Sequence, residues 1–137
     1  MTYRNQNSVN DVGQYQMAGL PFVTASSIAT GNGTVVVQFP FVTNYISIKN
    51  NTASSTLRVG FTANGVSGSN YYGITNTTPL SIDLRVRELY FRVGSGTTIS
   101  FELIAGLTTI NSASFPVLTS STPADNTNFV YSYPGIG

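Results

Sequence analysis

Six of the eleven formal charges in this chain lie close together in sequence: Asp83, Arg85, Arg87, Glu88, Arg92 and Glu102. The chemistry to test first is acid–base work by paired carboxylates. Glycoside hydrolysis needs two carboxyls roughly 5 to 10 Å apart, one with a raised pKa. Strand alternation sends Asp83 and Glu102 outward, where they could meet across strands. Three arginines are interleaved with them, and cross-strand ion pairing on a solvent-facing sheet accounts for that pattern more simply. Arg85, Arg87 and Arg92 are therefore read as intersubunit pairing or rim contacts, and catalysis by Asp83 and Glu102 is ranked last.

Other chemistries lack their residues. The chain has no histidine and no cysteine, and Lys49 is its sole lysine. Its serines have no histidine to activate them, and no Gly-X-Ser-X-Gly elbow occurs. The segment 94–96, Gly-Ser-Gly, reads as a turn, because no lysine or helix signal follows to make it a phosphate loop. Asp11, Asp83 and Asp125 are too far apart in sequence to suggest a calcium loop. We expect no enzyme activity, no metal and no cofactor.

A formal net charge of +1 cannot supply the basic stripe that nucleic acid requires, nor the cluster that an anionic membrane attracts. No apolar run approaches a membrane span, and the polar N-terminus shows no signal-peptide pattern. Three Asn-X-Thr sequons, at Asn32, Asn50 and Asn76, fit the Thr/Asn-rich composition without implying glycosylation. The eight tyrosines are the better functional hint. Tyr71 and Tyr72, between Gly/Asn-rich segments, form a candidate glycan-stacking platform, and tyrosine also favours protein interfaces.

The elements that must position these residues are strands. No segment longer than ten residues has helical apolar spacing, and period-two alternation recurs instead. Val35, Val37 and Phe39 share a face, as do Ile46 and Ile48, then Leu57, Val59 and Phe61. Residues 63–70 read as a loop and 71–74 as a short strand. Along 80–93 the apolar parity flips, from Leu80, Ile82, Leu84 and Val86 to Leu89, Phe91 and Val93. One strand cannot bury a single face through such a flip, so a bulge, corner or bend is expected at Arg87–Glu88. Residues 97–105 are expected to pair back as a hairpin.

Seven or eight short strands predict an all-β fold: an antiparallel β-sandwich, jelly-roll-like, spanning 20–110. An N-terminal arm (1–19) and an extended C-terminal arm (111–137) flank it. Phe129, Tyr131, Tyr133 and Ile136 would be sticky in a solvated tail, so the C-terminal arm should dock on its own sandwich or on a neighbour. We place these four among the partner-binding candidates.

The stretch from Leu80 through Thr108, with the low charge, the Thr/Ser/Asn richness and the two arms, resembles small virion proteins. The similar group is the cement or decoration proteins of tailed-phage heads, with minor capsid proteins of other double-stranded DNA viruses close behind. The likeness is compositional and covers mainly residues 79–110, so it carries over no functional residue. It implies a structural protein of the virion, made in the host cytoplasm, that forms homo-oligomers, often trimers, and binds a major capsid protein or another virion protein. The competing expectation is a carbohydrate-binding module, or a fibre or baseplate component, working through Tyr71 and Tyr72.

Overall fold

The architecture is that of a computed structural model describing residues 19–31, 33–119, 130–131, 133 and 135–137. Most of the expected N-terminal arm, and Phe129 of the C-terminal arm, lie outside these residues. The strands are β1 (Leu20–Ile28), β2 (Val35–Gln38), β3 (Phe41–Asn50), β4 (Thr56–Gly60), β5 (Tyr72–Ile74), β6 (Leu80–Ile82), β7 (Glu88–Ser95) and β8 (Ile99–Asn111). They form two four-stranded sheets, ordered β1-β8-β3-β6 and β2-β7-β4-β5, with antiparallel pairing throughout both. Consecutive strands alternate between the sheets except β4 and β5, which are neighbours in the second sheet. This is the double Greek-key order of an eight-stranded jelly roll. A further parallel pair joins β9 (Val117–Leu118) to β10 (Val130–Tyr131).

That topology explains the parity flip. The chain leaves the first sheet after Ile82, runs through 83–87 without pairing as a strand, and enters the second sheet at Glu88. The inward face of one sheet looks at the inward face of the other, so changing sheets reverses which parity is buried. Val86 is buried before the switch, and Leu89 and Phe91 after it. Thr43 of β3 fixes the crossover: its hydroxyl donates to Leu84 O at 2.7 Å and accepts from Val86 N at 3.1 Å.

Two sequence expectations need correction, and one strand went unread. Strand β8 does not pair back on β7; it lies between β1 and β3 in the other sheet. The turn after β7 is thus a passage between sheets, and Gly96 has φ +98° where it crosses beside Ser55. Residues 63–70 are not all loop: Ala63–Ser67 form a one-turn helix, α1, capped by Thr62 Oγ1, which accepts from Gly65 N at 2.8 Å. The segment 20–28, whose outward Pro21, Val23 and Ala25 blur the alternation, is the nine-residue edge strand β1.

The core is the space between the sheets. Phe91 of β7 stacks on Phe101 of β8 with ring centres 4.7 Å apart. Phe22 meets Phe39 edge-to-face at 5.0 Å near the β1–β2 side. Buried Asn50 organises the far end of β3: its Nδ2 donates to Ser55 O at 3.2 Å and Ile74 O at 3.1 Å, and its Oδ1 accepts from Thr52 N at 2.9 Å. With its amide committed in this way, Asn50 is closed to glycosylation.

Candidate functional site

Two surfaces stand out, and strand register builds both. The first is the outer face of sheet β1-β8-β3-β6. Val23 of β1 lies across from Ile104 of β8, which lies across from Ser47 of β3 and then Ser81 of β6. The neighbouring rows run Pro21–Gly106–Tyr45 and Ala25–Glu102–Lys49. Val23 is 73% exposed and Ile104 52%. Solitary exposed apolar residues need no explanation, but here they are cross-strand neighbours on a face of mostly small residues. Among the described residues the charge on these rows is the pair Lys49 Nζ–Glu102 Oε1, 3.5 Å apart. Alternation alone flags Ile104, an isoleucine at the outward parity between Leu103 and Ala105. Val23 was hidden because β1 went unrecognised.

The second surface is a cleft of about 590 Å³ on the side where the short edge strands β5 and β6 leave the sandwich open. Ile46 faces Ile82 across the β3–β6 ladder, and Val59 faces Tyr72 across β4–β5. Each pair shares an inward parity, yet Ile82 and Tyr72 remain exposed while Ile46 and Val59 are buried. Tyr71 also lines the cleft, and its ring sits 4.1 Å from the Arg58 guanidinium, a cation–π contact that fixes the ring. Arg58 Nη1 reaches Val66 O at 3.4 Å. Tyr71 and Tyr72 thus stand at one opening, as a platform would require.

The charged cluster read from the sequence is divided by the fold. Glu102 pairs with Lys49 on one sheet, while Glu88 and Arg92 belong to the other. Because β7 and β8 are in different sheets, one charged hairpin does not exist. Asp83 and Arg85 are exposed in the crossover. Arg87 Nη1 reaches Phe115 O at 3.5 Å, and Arg92 Nη1 reaches Thr34 Oγ1 at 3.5 Å. Arg92 is the register partner of Arg58. Glu88 accepts from Tyr90 OH at 2.8 Å. Burial, aided by that hydrogen bond and the Glu88 charge, pushes the Tyr90 phenol up to about 12. Among the described residues no group of three or more Asp or Glu is placed to hold a metal ion.

The described end of the C-terminal arm docks in cis. Ile136 is 1% exposed. Its carbonyl accepts from Thr62 Oγ1 at 3.3 Å, and Gly137 O accepts from Asn64 Nδ2 at 3.1 Å. Gly65 is required at this contact, since a Cβ there would stand 2.5 Å from Ile136 O. Ile136, expected among the gripping residues, is therefore spent on its own fold. Tyr131 is half-buried in β10, and Tyr133 is 57% exposed.

No protein-family model matches the chain, and no curated protein matches it. A solved structure described as CapF with the inhibitor 3-isopropenyl-tropolone aligns over 63% of this chain and 24% of that one. At 9% identity and a TM-score of 0.37 this likeness carries no argument. Among the described residues no helix is long and apolar enough to cross a membrane.

Proposed function

We propose that the chain is a non-enzymatic structural protein of a virion, a jelly roll that assembles with copies of itself and binds and stabilises a capsid lattice as a cement or decoration protein. The observation that carries this reading is the outer face of sheet β1-β8-β3-β6, where Val23 and Ile104 lie side by side in the open. A second copy suits this face on grounds of charge: Lys49 and Glu102, 3.5 Å apart within one chain, would lie opposite the same two charges of another copy across a symmetric contact. The strand order is shared with viral shell proteins and also with lectins and cupins, so it supports the class by analogy of fold.

Burying this face would desolvate apolar surface without stranding charge, and a repeated lattice would turn modest single contacts into avidity. Tyr133, Arg85, Arg87 and Arg92 are left as rim contacts to the shell protein. Sedimentation of the purified chain with assembled shells of the virus that encodes it tests the role. Saturable binding at a fixed number of copies per shell is expected, and absence of co-sedimentation at any concentration contradicts it.

The carbohydrate reading has one observation of its own, the shared opening at Tyr71 and Tyr72. It requires glycan-array signal that the paired change Tyr71→Ala and Tyr72→Ala removes.

A further inference from the structure

The cleft between β5 and β6 has a definite polarity. Its floor and walls are aliphatic, with Ile46, Val59, Leu80 and Ile82 among them, and its polar atoms come from residues such as Asn70, Tyr71 and Tyr72. No lysine, arginine, aspartate or glutamate is among the described residues that line it. Its volume of about 590 Å³ lies within the range of roughly 300–1,000 Å³ usual for small-molecule sites.

We propose that this cleft binds a neutral amphiphile: an aliphatic chain along the floor, with an uncharged hydroxyl or amide head among Asn70, Tyr71 and Tyr72. The lining selects each part. A cationic head would lose hydration without gaining a counter-charge, and would sit near the Arg58 guanidinium that stacks on Tyr71. A bare sugar would bring more hydroxyls than an aliphatic floor can satisfy. An alkyl chain needs only the apolar surface that Ile82 and Leu80 present. The mouth is preorganised, because the Arg58 guanidinium holds the Tyr71 ring at 4.1 Å, which lowers the ordering cost of binding. The site is independent of the assembly face, which lies on the opposite side of β3 and β6.

The test uses neutral n-alkanols from butanol to decanol, followed by the methyl resonances of Ile82 and Leu80 in the full chain. Saturable shifts are expected, with affinity rising about fourfold per added methylene, the ratio that about 0.8 kcal/mol per buried CH₂ sets, until the chain fills the cleft. Octylammonium at neutral pH should bind at least about tenfold more weakly than octanol, since its charge would be desolvated unpaired. Ile82→Glu should abolish alkanol binding, and Ile82→Leu should retain it. Non-saturable shifts, octylammonium equal to octanol, or binding that survives Ile82→Glu would each overturn the proposal. Saturable shifts of the same methyls by an oligosaccharide, with none by alkanols, would overturn it in favour of a sugar site.

Discussion

Thr43 holds Leu84: the hydroxyl of a fully buried β3 threonine donates at 2.7 Å to the carbonyl of a residue crossing between the sheets. The same oxygen accepts from Val86 N, so one side chain satisfies two backbone groups of a segment that has no strand partner. Thr43→Val keeps the shape and removes both bonds. Stripping the partners from buried backbone groups costs about 1–3 kcal/mol. Chemical denaturation should show a loss of that size, and hydrogen exchange should show faster opening of residues 84–86. An unchanged midpoint would mean that water or a neighbour replaces the hydroxyl.

The socket for Ile136 depends on the absence of a side chain at Gly65. Ile136→Ala is expected to cost about 2–5 kcal/mol, as for other fully buried isoleucines. Gly65→Ala leaves Ile136 intact but drives a methyl against its carbonyl, so it should release residues 135–137 and raise their proteolytic sensitivity. Removing residues 124–137 should therefore destabilise the sandwich as well as delete the exposed Tyr133. A truncated chain with wild-type stability would contradict the docking.

Tyr90 sets an alkaline limit. Its folded pKa, about 12, stands above the ordinary 10.0. Below pH 10 both the folded and unfolded chains keep the phenol protonated, so the contribution is fully present. Between pH 10 and 12 the unfolded chain loses the proton first, and stability falls as pH rises. Tyr90→Phe should flatten that part of a stability–pH curve while leaving its slope near neutrality unchanged. A wild-type decline that persists undiminished in Tyr90→Phe would rule the phenol out as its source.

The Lys49–Glu102 pair is expected to do little for the monomer. Both side chains are more than half exposed, at 57% and 52%, and such pairs contribute about 0–1 kcal/mol. Glu102→Gln should leave the melting temperature nearly unchanged, yet weaken self-association and reduce its salt dependence, because the cross-copy pairing is lost. A large stability loss with unaltered association would place the pair's role inside the monomer.

Much of the sandwich was legible in alternation, because half-buried strands write their faces into the sequence. Val35 and Val37, Ile46 and Ile48, and Leu57 and Val59 all face inward as their spacing implies. The parity flip correctly marked a break before Glu88. What it could not tell was that the break changes sheets, since pairing partners are a long-range property absent from local spacing. For the same reason β7 and β8 looked like a hairpin and their charges like one cluster. Strand β1 was missed because its outward positions carry Pro21, Val23, Ala25 and Ser27, which blur the alternation. Thr43 and Asn50 could not be singled out among the many threonines and asparagines, because only the fold decides which of them are buried. Tyr71 and Tyr72 were visible by type and adjacency, while the cleft behind them depends on how short β5 and β6 are.

The central claim is that the face bearing Val23 and Ile104 is where copies of this chain meet. Light scattering on the wild-type chain and on Val23→Asp/Ile104→Asp, over a concentration series, addresses it directly. Both positions are exposed, so the double variant should keep its fold, which its melting curve verifies. The account predicts a discrete wild-type oligomer and a monomeric variant at every concentration. A wild type that stays monomeric, or a folded variant that assembles as the wild type does, would contradict it.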